Sequence, residues 1–302
     1  MGELFVLLAA ALWGSISLMV RPLNALGFSS LQITCVRAVL ATLIIGVFLL
    51  IKDRSLFKVK LKHIPIFLGS GVISFLFFNY CYMSSIEQNS VSVAAILLYT
   101  SPVWVTVFSA IIFKEKVTVY KIIALVVALG GAVMLSFSGT LKITGLGVLF
   151  GIGSGLGYAL YSVFGKLAAK YYKPETTTFY TFLFAAIFAI PVCRVWEIPS
   201  LIGNNTISLA YFAGVTVFAT VLPYIFYTLG LTLIPAGKAG IIAIAEPVVA
   251  AIVGWIAYGE ALGVLGIIGI LVVVSALVFM ELAGGKSPPE KETESKDTDK
   301  SE

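Results

Sequence analysis

The chain has 302 residues, of which 59% are hydrophobic and only 12% charged, with a mean hydropathy of +1.04 and a formal net charge of +5. Soluble domains carry roughly twice that charged fraction, and here the apolar residues run in stretches of about 20, the length that crosses a ~30 Å hydrocarbon layer. The chain reads as an integral membrane protein, and its Lys and Arg sit in short loops without a continuous basic face, which excludes nucleic acid as a partner.

Ten apolar spans are predicted. The first half holds 4–22, 31–51, 64–84, 91–113 and 118–138, and the second half holds 146–168, 176–195, 207–230, 236–258 and 262–282. Helices are expected, because lipid offers no partner to backbone N–H and C=O groups. Barrel strands would show ~10-residue alternating segments, and none are present. The fold class is therefore all-α, a polytopic membrane protein.

The first span lacks the Lys/Arg region of a signal peptide. Trp13 and Ser17, four apart, share one of its faces. In the second span Arg37 stands about two turns from the predicted outer end. It is a candidate anion contact, or it snorkels outward, or it pairs with an acid. The third span carries Asn79 and Tyr82, and the fourth carries Tyr99, one turn before Pro102. The sixth span alternates Gly151, Gly153, Gly155 and Gly157, then Tyr158 and Ser162. No strand precedes those glycines, so they read as a close-packing G-x-x-x-G face and not as a phosphate loop. The eighth span has Pro223, Tyr224 and Tyr227. The ninth has Lys238 near its start, read as an interfacial anchor, then Glu246 and Pro247.

Cys35, Cys81 and Cys193 lie in or at the ends of apolar runs and read as buried free thiols. The single histidine is His63. Neither a metal site, nor a cofactor, nor a catalytic constellation is expected, so the chain is not read as an enzyme. The charged end, 284–302, cannot bury apolar area and is expected to be a disordered cytoplasmic tail.

An internal repeat organises these spans. Pro102 and Pro247 are 145 positions apart, and so are Glu115 and Glu260. The same offset pairs Trp13 with Tyr158, Ser17 with Ser162, Tyr82 with Tyr227, Asn79 with Tyr224 and Arg21 with Lys166. The units are 1–138 and 146–283. Five spans per unit is an odd number, so the second unit must enter from the other side, giving two inverted five-helix repeats. Loops holding Lys52 to Lys62, Lys114 to Lys121 and Lys166 to Lys173 alternate with loops holding only Arg21, Lys142 and Arg194. The positive-inside rule puts the first set, and both termini, in the cytoplasm.

Glu246 is the sharpest single residue. A carboxylate in mid-span is costly in hydrocarbon, and such groups usually face a cavity and work there. It is the candidate site for a proton or a cationic group, while a structural acid paired to a cation is the plainer reading. Its repeat counterpart is Ser101, the largest disagreement between the units. Pro102 and Pro247 are expected to kink their helices and to leave free carbonyls near Leu98 and Ala243. The paired aromatic and hydroxyl residues suit an amphipathic organic solute. Glu115 and Glu260 read as helix-end structural or gate elements.

The run Glu246-Pro-Val-Val-Ala-Ala-Ile-Val-Gly-Trp-Ile-Ala-Tyr-Gly-Glu260 resembles the second-half signature of the EamA family, in the drug/metabolite transporter superfamily. Ala11-Leu-Trp-Gly14, Arg37, Gly130-Gly131 and Gly266/Gly269 resemble it too, over residues 1–283. The resemblance implies ten helices and alternating access about a central cavity lined by helices 1, 3, 4, 6, 8 and 9. It implies export of small organic solutes, often amino acids, with coupling that varies between proton exchange, substrate exchange and passive flux.

The expectation is a secondary-active carrier of a small organic metabolite in the inner or plasma membrane, with a midplane substrate site and a proton as candidate second partner. Monomer and homodimer both fit. A channel needs a continuous polar stripe or a charged ring, which the sequence lacks. A flippase for a lipid-linked sugar needs a phosphate site, for which only Arg37 and Lys238 are available.

Overall fold

The computed structural model describes residues 1–137 and 142–284. The predicted tail, beyond Gly284, lies outside the described residues. Among those residues nine helices are long and apolar enough to cross a bilayer. They are α1 (Gly2–Ala25), α2 (Ser30–Lys52), α3 (Leu61–Gln88), α4 (Val91–Ile112), α5 (Val119–Ser136), α6 (Gly145–Ala169), α8 (Ile207–Leu233), α9 (Ala236–Tyr258) and α10 (Val264–Ala283).

Between α6 and α8 stands α7 (Pro174–Ala189), with 16 residues. It rises about 24 Å, short of the hydrocarbon thickness, and stands where the seventh span is expected. Pro174 opens α7 at the first helical turn, where a missing N–H costs nothing, and Glu175 favours the positive end of the helix dipole. The regular helix ends at Ala189, and Pro191 follows two residues later, where its missing N–H cannot continue the ladder. The apolar run continues to Cys193, which is why hydropathy places the end of this span six residues too late.

Several helices are interrupted. α1 breaks at Ser15–Ile16, α4 at Tyr99–Thr100 and α9 at Ala243–Ile244. The last two coincide to within one position under the 145-residue offset. Pro102 and Pro247 stand early in the downstream pieces, Ser101–Ile112 and Ala245–Tyr258, where a helix tolerates proline. The expected free carbonyl at Ala243 is not free: it accepts the Glu246 N–H at 3.0 Å. α3 and α8 each contain a π-helical stretch, Gly69–Leu76 and Val217–Val221, again at matching positions. Such turns loosen the hydrogen-bond ladder and often mark functional segments.

Among the helix pairs that pack are α1–α8, α3–α6, α2–α7, α4–α9 and α5–α10. The offset turns α1 into α6 and α3 into α8. So α1–α8 and α3–α6 are one contact made twice, and the other three pairs each join a helix to its own counterpart. The result is a pseudo-two-fold bundle whose halves interlock. Glycine permits the closest approach: a Cβ on Gly131 of α5 would lie 2.9 Å from the Gly269 carbonyl oxygen of α10. Likewise Gly155 of α6 faces Thr100 at the α4 break, and a Cβ there would lie 2.6 Å from its Oγ1. Gly151 abuts Leu97 one turn away, so the G-x-x-x-G face does seat α6 against α4.

The outer faces are apolar. Leu43, Val47 and Phe48 on α2, and Leu265, Ile268 and Leu271 on α10, are all exposed. A water-soluble protein does not present apolar surface on this scale, and lipid accounts for it.

Candidate substrate site between the two halves

The breaks in α4 and α9 meet at a cavity. Its walls include Tyr99, Ser101 and Pro102 from α4, Tyr158 from α6, Tyr227 from α8 and Glu246 from α9. Glu246 lies half-way along α9 and is the one carboxylate or cation among these lining residues. The Tyr158 hydroxyl donates to its Oε2 at 2.9 Å. Ser101, its repeat counterpart, faces the same cavity from the other unit. The site thus straddles the pseudo-two-fold axis with a hydroxyl on one side and a carboxylate on the other.

A second cavity adjoins the first and shares Tyr158 and Tyr227 with it. Trp13 is part of its wall, with ring centroids 5.9 Å from Tyr158, 5.2 Å from Tyr224 and 5.3 Å from Tyr227. Edge-to-face packing of this kind fixes the rings and adds to their burial. Ser162 pairs with the Tyr227 hydroxyl at 2.7 Å, and Tyr161 pairs with Thr228 at 2.8 Å. The walls are therefore aromatic surfaces with their hydroxyls held in place, which suits a solute with an apolar body.

Six predicted site residues, Trp13, Tyr99, Tyr158, Ser162, Tyr224 and Tyr227, come together here around Glu246. The others are not among the lining residues of either cavity. Tyr82 stacks on Phe78, at 6.1 Å between centroids. Asn79 donates to the Phe75 carbonyl at 2.8 Å and meets Thr34. Ser17 opens the second piece of α1, and its carbonyl accepts from Tyr258. Arg37 is buried and donates to Thr220 Oγ1 at 2.8 Å and to the Ala219 carbonyl at 3.2 Å. Both acceptors belong to the π-helical stretch of α8, so Arg37 ties α2 to that loosened segment. Lys238 is not a simple surface anchor, since it forms ion pairs with Glu3 of α1 at 2.8 Å and with Glu281 of α10 at 2.9 Å.

The site is closed on one side. Where α4 ends and α9 begins, the two helices pack directly. Val105 lies so near Gly240 that a Cβ there would be 3.0 Å away. Glu115, just past α4, accepts the N–H groups of Ala236 and Gly237 at 2.8 and 3.0 Å, capping α9. The counterpart pairing, between the second piece of α9 and the first piece of α4, is not packed in this way. Of these features, Ser101 could have been promoted from the repeat mismatch alone. Tyr161, Thr220 and Thr228 carried no signal, because a hydroxyl in an apolar span looks the same whether it packs or works.

This fold and site define a polytopic helical membrane protein, duplicated around a polar centre. The sequence profile of the EamA-like transporter family matches residues 1–137 and again 145–282. The chain belongs to that family and is a multi-pass membrane transporter. An Archaeoglobus fulgidus protein described as an uncharacterized transporter is 30% identical over 282 residues, which cover 92% of this chain and 95% of that one. The threonine/homoserine exporter RhtA of Salmonella typhimurium is 27% identical, over 87% of this chain and 86% of its own. YicL, an uncharacterized inner membrane transporter of Salmonella typhimurium, is 24% identical over 93% and 95%. One crystal structure superposes with a TM-score of 0.77 over 95% of this chain and 99% of the other, at 17% identity, and speaks to the fold alone.

Proposed function

We propose that the protein is a secondary-active carrier that exports small organic metabolites bearing a protonated amine and an apolar body, amino acids among them. The observation that carries this reading is Glu246: a carboxylate half-way along α9, bonded to Tyr158 and facing a cavity walled by aromatic rings. In a low-dielectric site an acid is held in check by a cation or by a proton. An ammonium group and a proton are then rival occupants of one carboxylate, and their exchange couples flux to a pH gradient. The rings and hydroxyls of Tyr99, Tyr227 and Ser101 receive the rest of the solute. The likeness to RhtA supports an amino-acid cargo, since threonine and homoserine each carry an ammonium group.

Access alternates as the downstream pieces of α4 and α9 move about the breaks beside Pro102 and Pro247. The tight seam at Val105 and Gly240 favours a carrier over a channel, which needs a path open to both faces. The loop charges favour an inner- or plasma-membrane location with both termini in the cytoplasm, and the likeness to YicL agrees with the former.

Uptake into proteoliposomes over a panel of amino acids, organic amines and carboxylates, with and without a pH gradient, tests the reading. Saturable flux of amine-bearing solutes that responds to the gradient is expected. Flux of carboxylates without amines, or no flux of any solute, contradicts it.

A further inference from the structure

Glu115 and Glu260 occupy equivalent places and have identical backbone surroundings. Each follows a residue with positive φ, Lys114 at 56° and Gly259 at 67°, themselves 145 positions apart. The Glu115 N–H reaches back to the Ser109 carbonyl at 3.2 Å, and the Glu260 N–H reaches back to the Gly254 carbonyl at 3.2 Å. Both helices thus end in the same closure, an N–H bonded six positions back around a left-handed residue. That turn suits Gly259, but it strains Lys114, and a strained non-glycine turn persists where neighbouring contacts hold it.

The carboxylates differ only in what they hold. Glu115 caps the start of α9 through Ala236 and Gly237. No residue at the start of α9 supplies such a cap itself, since the position before it is Pro235. Glu260 has not made the matching contact, which would be with Val91 and Ser92 at the start of α4. It pairs instead with Arg21 at 2.5 Å, and Arg21 also lies over the Tyr258 ring at 4.3 Å. That pair is half exposed, 48% and 53%, and such pairs add little stability. Meanwhile Ser90, at the cap position of α4, makes no capping hydrogen bond. One face of the bundle is sealed by an acid on a helix start. On the other face the equivalent acid is parked on a weakly held arginine, and the equivalent helices are not packed together.

We propose that Glu115 and Glu260 are paired gate residues of the transport cycle. Glu115 seals one face in the state seen here. In the opposite-facing state Glu115 lets go, and Glu260 leaves Arg21 to cap α4 at Val91 and Ser92. This rests on the alternating-access reading above and adds to it the residues that close each gate. The two acids act on which way the cavity faces, and neither touches the solute.

The test is side-specific labelling of Ser101→Cys, a cavity residue, by a membrane-impermeant thiol reagent applied to vesicles of each orientation. The unsubstituted protein sets the background from its three cysteines. Glu115→Ala is expected to raise labelling from the face that carries Lys114 and Lys116, and to lower it from the other, by roughly tenfold for hydrogen bonds to a charged group. Glu260→Ala is expected to shift labelling the opposite way, and the double variant to return towards the parent. Glu115→Gln keeps an acceptor oxygen and the side-chain volume, so it shifts in the Glu115→Ala direction by less and serves if the alanine variant does not fold. Shifts of the same sign for both acids, or no shift for Glu260→Ala, overturn the proposal. The labelling needs no solute, so a failure of the carrier reading would show separately, as absent flux with the opposed shifts intact.

Discussion

The hydroxyl of Tyr158 donates to Glu246 Oε2 at 2.9 Å, and both residues belong to the second repeat unit. Their counterparts in the first unit are Trp13 and Ser101, which cannot form that bond, since an indole N–H has no carboxylate there to meet. The scaffold is close to two-fold symmetric, but its polar centre is not. The hydrogen-bonded pair that faces the cavity comes from one copy, and the other copy supplies an aromatic wall and a hydroxyl.

If the acid holds the cargo, Glu246→Gln lowers flux at least roughly tenfold and removes its dependence on the pH gradient, because a neutral amide neither pairs with an ammonium nor exchanges a proton. Tyr158→Phe keeps the ring but removes one hydrogen bond to the charge. It raises the half-saturating concentration by up to roughly tenfold and leaves the pH dependence in place. Initial-rate uptake across a pH series checks both.

The repeat makes a second prediction at the same cavity. Ser101→Glu alone places two carboxylates in one site, where like charges oppose each other's ionisation, and flux falls. The exchanged variant, Ser101→Glu with Glu246→Ser, again has one acid and one hydroxyl. Its flux is expected to exceed that of Ser101→Glu alone. If the two are equally inactive, the walls beyond these two positions fix which side carries the acid.

Away from the site, Gly131→Ala tests the seam between α5 and α10. The added Cβ meets the Gly269 carbonyl oxygen, so overpacking costs about 1–3 kcal/mol. Thermal unfolding in detergent should occur at a lower temperature, with flux per folded molecule unchanged.

Arg37 separates a structural from a binding role. Thr220→Ala leaves a buried guanidinium N–H without its acceptor and costs about 1–3 kcal/mol of stability, with no change in half-saturation. If Arg37→Lys changes half-saturation for carboxylate-bearing solutes more than melting temperature, Arg37 reaches the solute after all.

Much of this was legible in the sequence because duplication supplies its own alignment. The offset that pairs Pro102 with Pro247 also brings out Ser101 against Glu246, and both of those face one cavity. Trp13 and Tyr158, matched by the same offset, meet at 5.9 Å. Other features are contacts between residues far apart in the chain, which periodicity does not register. Arg37 finds Thr220 across 183 positions, and nothing in either local sequence names the other. The break at Ser15–Ile16 has no proline beside it and no counterpart in α6, which runs unbroken from Gly145 to Ala169. Asn79 and Ser17 read as cavity groups by helical spacing, but the Asn79 side chain donates to Phe75 of its own helix and accepts from Thr34 of α2, and Ser17 offers its backbone carbonyl to Tyr258.

The most direct test of the carrier account is solute counterflow. Proteoliposomes are preloaded with an unlabelled amine-bearing solute and diluted into a trace of the labelled one, for the parent protein and for Glu246→Gln. Transient accumulation of label above equilibrium, lost in Glu246→Gln, is the predicted result, because a carrier that alternates about one acid exchanges solute faster than it returns empty. Label that merely equilibrates, at a rate independent of the preload and of Glu246, would contradict the account.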